Sequence, residues 1–426
     1  MPLPSIVLDL TRLVTRLRHA SPTGIDRVDL AYARHLLAQG GERFGLVSTR
    51  LGPKVLERAR MAALVEAAVA AWTEEVAAGD DPVYRDLAGT LGLPLPAATV
   101  RPAAPDGARR RRERQVRAWL DALRAPGPAA LPRGSLYLHT SHLRLDLPAR
   151  FDWLYDRTDI RPVFFVHDLI PIEYPEYGRA GEAERHRVRM ETVARHARAV
   201  VVNSADVGAR LAAHLAGMGR RAPAITVGPL GIEEAFGGAP SASPARPFFL
   251  VCGTIEPRKN LISLLTAWRE LGTRHGAATP RLVVVGRRGW ESENVVDLLE
   301  RCPAVREHVT EVSGLSTAGL VRLMGSATAL LMPSFAEGYG LPVLEAAASG
   351  LPVVASDIPV HREIAGPFAA FLHPLDGLGW MRTVEALAAP GSPLRAEMAA
   401  RLAGYRAPTW EDHFARVDPA LEAVAG

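Results

Sequence analysis

Lysine is nearly absent from this chain. Of its 426 residues 50 are basic, and only Lys54 and Lys259 are lysines, so that the other 48 are arginines. This imbalance indicates a codon preference, against which a lysine is the unusual choice and invites a question about its chemistry. The formal net charge of +4 is small for this length and argues against a dedicated nucleic-acid-binding protein.

Cysteine and long apolar runs are also scarce. The two cysteines, Cys252 and Cys302, form neither a CxxC pair nor a Cys/His cluster, which excludes a disulfide framework and argues against a metal site. The longest apolar candidate, 61–72, contains Glu66 and predicts a helix on a core rather than a membrane span. The first residues lack the pattern of a signal peptide. We therefore expect a cytoplasmic protein, at most peripheral to the inner face of a membrane.

Three chemical motifs are missing as well. The sequence has no GxGxxG fingerprint after its first strand, no GxxxxGK[ST] and no GxSxG. Their absence argues against nicotinamide and flavin enzymes, P-loop NTPases and α/β-hydrolases.

Short apolar runs alternate with helical patterns and fall into two sets. This alternation predicts α/β structure with two doubly wound parallel sheets. The first set covers 5–10, 44–49, 135–140, 162–168, 199–204 and 224–229, and the second covers 247–253, 281–286, 309–314, 328–334 and 352–356.

The composition places the domain boundary in 229–247, which is rich in Gly, Pro, Ser and Ala. We expect an N-terminal domain over 1–235, a C-terminal domain over 247–405 and a final helical segment over 406–426. Within the first domain, 100–133 is expected to be irregular. Its arginine run, 109–117, predicts either contact with an anionic partner such as phospholipid headgroups or a solvated helix start.

The segment 328–356 carries the strongest chemical signal. A predicted strand leads into a loop with Glu337, Gly338, Tyr339 and Gly340, and the loop leads into a helix whose first turn suits Pro342. Free backbone N–H groups at such a helix start form an anion site. Together with Glu345, the carboxylate of Glu337 can accept hydrogen bonds from sugar hydroxyls on either side of that anion.

Three further segments follow strand ends. Arg258 and Lys259 stand before a predicted helix start, where cations gain nothing from the helix dipole unless an anion joins them. His167 ends a strand, where open α/β sheets bind ligands. It could donate to a sugar hydroxyl or a diphosphate, or be satisfied by neighbouring backbone. Gly24 opens an amphipathic helix after the first strand and would let the backbone approach a ligand.

These segments resemble the retaining GT-B glycosyltransferases of the family-four type. The likeness rests on the E-x7-E pattern from Glu337 to Glu345 and on the segments GTIEPRKN, HDLIP, VVNSAD and PLGIE. It implies a GT-B fold, with two Rossmann-like domains facing across a cleft and the last helix packing back on the first domain. No two aspartates lie two positions apart, so the DxD pattern of the other main glycosyltransferase fold is missing.

The resemblance also implies residue roles. Glu345 would bind the ribose of a nucleoside diphosphate sugar, Glu337 the transferred sugar, and His167 would lie near the reacting carbon. Lys259 and Arg258 would neutralise the diphosphate, and His167, Lys259 and Glu337 are the catalytic candidates. The remaining donor-binding candidates are Gly24, Thr254, Leu315, Gly338, Tyr339, Gly340 and Leu341. At Thr254 the chain departs from the family pattern, since many members have an arginine there, so more of the phosphate charge would fall to Lys259 and Arg258.

The implied reaction transfers a hexosyl unit, such as mannosyl, to a hydroxyl of a glycan or a lipid-linked acceptor. It retains the anomeric configuration and uses no metal or resident cofactor, the nucleotide sugar being a co-substrate. Two alternatives remain open at this point. One is a GT-B epimerase or phosphorylase, and the other is a non-catalytic sugar-nucleotide-binding partner in a glycan assembly complex.

Overall fold

The computed structural model describes residues 4–19, 22–72, 80–95, 107–237, 244 and 246–426. Parts of the boundary predicted at 229–247 (residues 238–243 and 245) and of the segment predicted at 100–133 (residues 100–106) lie outside the described residues. The extent of the three predicted domains stays a prediction.

Seven strands form the first sheet in the part of the chain that is described: β1 (Ile6–Asp9), β2 (Arg43–Thr49), β3 (Gly52–Leu56), β4 (Leu136–His139), β5 (Arg161–Val166), β6 (Ala199–Val202) and β7 (Ala224–Val227). Their order across the sheet is β3-β2-β1-β4-β5-β6-β7. All neighbours run parallel except β2 and β3.

The second sheet has six strands over the same described residues: β8 (Phe248–Cys252), β9 (Arg281–Val285), β10 (Val309–Val312), β11 (Ala329–Met332), β12 (Val353–Ser356) and β13 (Ala370–Leu372). Their order is β10-β9-β8-β11-β12-β13, and every pair is parallel. The apolar residues of β8, β11 and β12 are buried because helices cover both faces of the sheet.

Helices connect the strands. Those of the first half are α1 (Thr11–Arg16), α2 (Gly24–Ala38), α3 (Arg58–Trp72), α4 (Pro82–Leu91), α5 (Gly107–Leu123), α6 (Trp153–Asp156), α7 (Ile170–Glu173), α8 (Glu182–His196) and α9 (Ala205–Gly217). Those of the second half are α10 (Leu261–His275), α11 (Glu293–Arg301), α12 (Pro303–His308), α13 (Thr317–Ser326), α14 (Leu341–Ala348), α15 (Pro359–Ala365), α16 (Gly377–Ala388), α17 (Pro393–Leu402) and α18 (Trp410–Ala425). Short 3-10 helices cover Pro128–Ala130, Pro148–Phe151, Pro175–Tyr177, Glu234–Gly237, Pro257–Lys259 and Gly276–Ala278.

The two predicted sets of strands are confirmed, with two additions and one correction. β3 and β13 carry no long apolar run, and Pro53 in β3 is tolerated because that strand lies at the sheet edge. β3 also pairs antiparallel with β2, so the first sheet is not purely parallel.

The expectation of irregular structure over 100–133 is wrong for 107–123, which form α5. Arg, Glu, Gln, Ala and Leu in this segment are strong helix formers.

The last helix lies on the first sheet's domain. His413 of α18 is fully buried, with Nδ1 3.0 Å from the carbonyl oxygen of Gly228 and Nε2 2.9 Å from the hydroxyl of Tyr32 on α2. A shared apolar core also includes Val343 and Leu344 of α14 and Phe414 of α18. The chain therefore crosses back after the second domain, and the two domains are in direct contact.

No helix among the described residues is both long and apolar enough to cross a membrane.

Candidate functional site

Two loops meet at the carboxyl ends of the adjacent central strands β8 and β11. After β8 the chain passes through Gly253 and enters the 3-10 turn Pro257–Lys259, and after β11 it runs through 333–340 to the start of α14. Carboxyl ends of parallel strands are the usual ligand edge of an open α/β sheet. The sequence-predicted residues Lys259 and Glu337 are brought together at this edge.

Glu337 is the centre of a buried ionic cluster. Its Oε1 accepts a hydrogen bond from Lys259 Nζ at 2.5 Å and one from the Ser334 hydroxyl at 2.7 Å. Its Oε2 accepts a hydrogen bond from Arg258 Nη1 at 2.7 Å. Because two cations and a hydroxyl hold it, the carboxylate is fixed in position, and only 5% of the residue is exposed.

The charges in this cluster support one another. Burial opposes ionisation of Glu337, but the neighbouring Arg258 and Lys259 outweigh it and hold the pKa of that carboxyl well below its usual range. Burial also lowers the pKa of Lys259, while Glu337 raises it. Removing Glu337 would leave the buried Lys259 without its counter-charge, which is strongly unfavourable, whereas removing Lys259 leaves Arg258 to balance Glu337.

Arg258 also fixes the shape of the loop. Its Nη1 donates to the carbonyl oxygen of Ala336 at 2.9 Å, and its own carbonyl accepts from the Phe335 N–H at 2.8 Å. Its Nη2 lies 2.7 Å from Glu256, a nearly buried carboxylate. The 3-10 turn and the loop after β11 are thereby held together as one unit.

The start of α14 follows this loop. Gly340 precedes the helix with φ of 101°, a conformation that favours glycine, and no side chain caps the helix. Pro342 lies in the first turn, as predicted. The side chain of Tyr339 is buried, and its hydroxyl donates to the carbonyl oxygen of Leu230 at 3.4 Å, so only its backbone remains for a ligand. The helix start is therefore an N-terminus without a side-chain cap.

Glu345 lies one turn further along α14 and is 5% exposed. Its Oε1 accepts a hydrogen bond at 2.6 Å from Nη1 of Arg27, which lies on α2 in the other domain. Gly24, at the start of α2, lies beside Leu341, since a Cβ on this glycine would be 3.3 Å from Leu341 Cδ1. The starts of α2 and α14 therefore face each other across the domain boundary.

His167 follows β5, and Nε2 of its ring is hydrogen-bonded within its own domain. Its Nε2 lies 2.8 Å from the carbonyl oxygen of Thr140, which can only accept, so Nε2 carries the proton. Burial lowers the pKa of His167 to about 4. The predicted donation to a sugar hydroxyl or a diphosphate needs correction, because the neutral ring has only Nδ1 left and Nδ1 can only accept.

The backbone of His167 reaches the other domain. A Cβ on Gly338 would lie 3.0 Å from the carbonyl oxygen of His167 and 3.1 Å from Asp168 Cβ. Gly338 is thus a point of close contact between the two domains, beside Glu337.

Of two further predicted donor-binding residues, Thr254 adjoins the ionic cluster around Glu337 and Leu315 does not. Thr254 lines a cavity of about 10 Å³ together with Gly253, Lys259 and Ser334, so it adjoins the ionic cluster. Leu315 lies apart from it, because it follows the edge strand β10, and β9 and β8 separate β10 from β11.

Sequence reasoning missed three polar contributors. Arg27 lies only three positions after Gly24, but nothing in the local sequence signals a partner in the other domain. Ser334 and Glu256 lie inside the segments singled out for Glu337 and Lys259. Glu256 could have been predicted, because this carboxylate lies just before the predicted cation pair of Arg258 and Lys259.

Residues 239–374 match the family model described as glycosyl transferases group 1. Among curated proteins, the chain is 30% identical over 218 residues to the serotype-specific mannosyltransferase WbdA of Escherichia coli, covering 47% of this chain and 26% of that protein. It is 37% identical over 130 residues to O-antigen chain mannosyltransferase B of Escherichia coli, covering 30% of this chain and 33% of that protein. The chain thus spans about a quarter to a third of the length of these relatives.

Among solved structures, the chain is similar to Anabaena HepE in complex with UDP and glucose. The match has a TM-score of 0.60 at 14% identity and covers 99% of this chain and 100% of HepE. A likeness at this level of identity concerns the fold, and the fold is GT-B.

The contact at Gly338 yields a prediction for stability. In Gly338→Ala the new methyl group meets the backbone oxygen of His167, which cannot rotate away, and we expect a loss of roughly 1–3 kcal/mol in the free energy of unfolding. Gly377→Ala is the control, because a Cβ there meets no atom within 4 Å. Calorimetric unfolding measures both variants, and equal midpoints would refute the close contact.

Proposed function

We propose that the protein is a retaining glycosyltransferase, on the support of the match between residues 239–374 and the glycosyl transferases group 1 model and of the GT-B fold. It moves a hexosyl unit from a nucleoside diphosphate sugar to a hydroxyl group of an acceptor. The observation that carries the proposal is the buried Glu337–Lys259–Arg258 cluster beside the uncapped start of α14.

The leaving diphosphate gains negative charge as the glycosidic bond breaks. Lys259 has three N–H donors, of which Glu337 takes one, so the ammonium group has donors left for a phosphate oxygen. The backbone N–H groups at the start of α14 and the helix dipole add fixed positive potential. Groups that are already in place stabilise such a charge without reorganisation. The proposal assigns this neutralisation to protein groups rather than to a metal ion.

The two carboxylates fit the two sugars of the donor. Glu337 is held ionised in the loop, and because Oε2 accepts only from Arg258, it can accept a further hydrogen bond from a hydroxyl of the transferred hexose. Glu345 lies further along α14 and can accept from the ribose. His167 contributes the lone pair of Nδ1, which can accept from a hydroxyl near the reacting carbon. The anomeric configuration would be retained, as the family resemblance implies.

The donor is proposed to carry mannose, and the acceptor to be a growing glycan or a lipid-linked sugar. Support for both comes from the curated relatives, which are mannosyltransferases whose names refer to a serotype or to an O-antigen chain. The nucleotide is left to experiment, with GDP-mannose and UDP-sugars as the first candidates.

A pair of lysine variants tests the proposed site. We expect Lys259→Ala to lower the rate of hexosyl transfer from nucleotide sugar by about 10²–10³-fold, since it removes a charge that faces the leaving group. Lys54→Ala is the matched control, because Lys54 lies on the edge strand β3 of the other domain. The assay measures nucleoside diphosphate released from a panel of nucleotide sugars with and without acceptor.

Three outcomes of this assay are informative. Release by the wild-type protein with the predicted loss in Lys259→Ala supports the assignment. Equal and small effects of both substitutions would contradict it. Binding of nucleotide sugars without any release, under all acceptors tried, would favour a non-catalytic sugar-nucleotide-binding partner.

The helix α5 suggests how a lipid-linked acceptor would be reached. Its outer face exposes Val116 and Leu120, which are 50% and 47% exposed, beside Arg109, Arg112 and Arg117. The arginines of this face outnumber its two carboxylates, Glu113, which pairs with Arg109, and Asp121. Apolar side chains among arginines suit the boundary of an anionic bilayer. We propose that this face makes peripheral contact with anionic lipid headgroups, and the cytoplasmic location at the inner face stays a prediction.

Vesicle sedimentation tests this contact. The wild-type protein should bind vesicles containing an anionic phospholipid and not vesicles of neutral phosphatidylcholine, with binding weakened by salt. The variant Arg109→Glu/Arg112→Glu/Arg117→Glu should lose binding but keep nucleotide release in solution. A control with exposed arginines of two other helices changed, Arg274→Glu on α10 and Arg401→Glu on α17, should bind as the wild type does. Equal binding by all three proteins would refute the contact.

A further inference from the structure

Arg27 lies between two carboxylates of different segments. Its Nη1 is 2.6 Å from Glu345 Oε1, and its Nε is 3.1 Å from Oε1 of Glu233, which precedes the 3-10 helix Glu234–Gly237. Its side chain is 23% exposed, whereas that of Glu345 is 6% exposed. Arg27 is positioned by α2, whose start is fixed by a capping box between Thr23 and Asp26. The guanidinium is therefore delivered to Glu345 by a rigid element of the opposite domain.

Glu345 has few other charges to balance it. Of the groups facing it, Glu233 has the same sign, and Cys252 at the end of β8 is a neutral thiol whose pKa burial raises to about 12.

On the neighbouring α15, His361 faces Glu337 rather than Glu345, while Arg362 pairs with Asp357 and Glu363 caps the start of α9. The strands β11 and β12 contribute no titratable side chain beneath α14. Arg27 is thus the cation that balances Glu345 within the described residues.

We propose that Arg27 is a positioning residue of the donor site: its guanidinium keeps Glu345 ionised and oriented so that this carboxylate can accept hydrogen bonds from the ribose hydroxyls. A carboxylate has about four lone-pair positions, and Arg27 takes one of them, so the others remain for a hydroxyl pair. This inference rests on the proposed function. It adds that the donor site, although built on the C-terminal domain, is complete only when α2 of the N-terminal domain is docked against it.

The charge balance gives the inference a pH signature. Burial has the largest effect on the pKa of Glu345 and raises it, Arg27 lowers it and Glu233 raises it, so that this pKa lies above its usual value even in the wild type. Without Arg27 only the two raising effects remain, so the carboxyl takes up a proton at a higher pH than in the wild type. A protonated carboxyl loses acceptor capacity, and nucleotide affinity should therefore fall as the pH falls through the raised pKa.

Calorimetric titration with UDP and with GDP tests this, from about pH 5.5 to about pH 8.5. We expect the affinity of Arg27→Gln to fall by up to about tenfold for each pH unit below the raised pKa, while the wild type stays flatter over the same range. Arg27→Lys keeps the positive charge and should restore a flatter profile. Arg27→Gln/Glu345→Gln should bind weakly at every pH, because no carboxyl is left to titrate.

The outcomes separate this inference from the proposed function. If the wild-type protein binds neither nucleotide, the proposed function fails and the inference fails with it. If the wild type binds but Arg27→Gln has the same pH profile, the inference alone fails, and Arg27 is an ion pair between domains. A uniform loss of affinity that Arg27→Lys does not rescue would also contradict the role of the charge.

Discussion

The arrangement of the candidate site depends on one carboxylate, that of Glu337, which is buried and still ionised. Glu337 is 5% exposed, and Lys259, Arg258 and Ser334 satisfy it. An unpaired charge in such a position would be very costly, so the loop after β11 and the turn after β8 have to come together. The same constraint leaves two cations and the uncapped start of α14 beside one another. That juxtaposition is the reason for proposing an anionic donor as the ligand of this edge.

The N-terminal domain matters because it touches this edge at two places. The backbone of His167 lies against Gly338, and Arg27 lies against Glu345. A nucleotide sugar bound on the C-terminal domain would therefore meet groups from the N-terminal domain at both its sugar and its ribose. The two domains also share one apolar core, and α18 returns to the first domain.

Much of this could be predicted from the sequence. The buried strands are apolar runs bounded by turns, and Lys259 was conspicuous because the chain has only two lysines. The sequence does not predict β3, because its first three residues, Gly52, Pro53 and Lys54, are not typical of a strand. The pair of Arg27 and Glu345 escaped it because 318 positions separate them, and no local pattern encodes a contact that depends on domain docking. Of the two predictions for the ring of His167, donation to a ligand is wrong and satisfaction by neighbouring backbone is confirmed, since Nε2–H donates to the carbonyl oxygen of Thr140.

A crystal structure with a bound nucleoside diphosphate sugar tests the central claim most directly. The diphosphate should lie within hydrogen-bond distance of Lys259 Nζ and of the backbone N–H groups at 338–341, with the ribose on Glu345. Glu337 should remain in contact with Lys259 while accepting a hydroxyl of the transferred sugar. A nucleotide bound away from the Glu337–Lys259–Arg258 cluster, with that cluster unchanged, would contradict the claim.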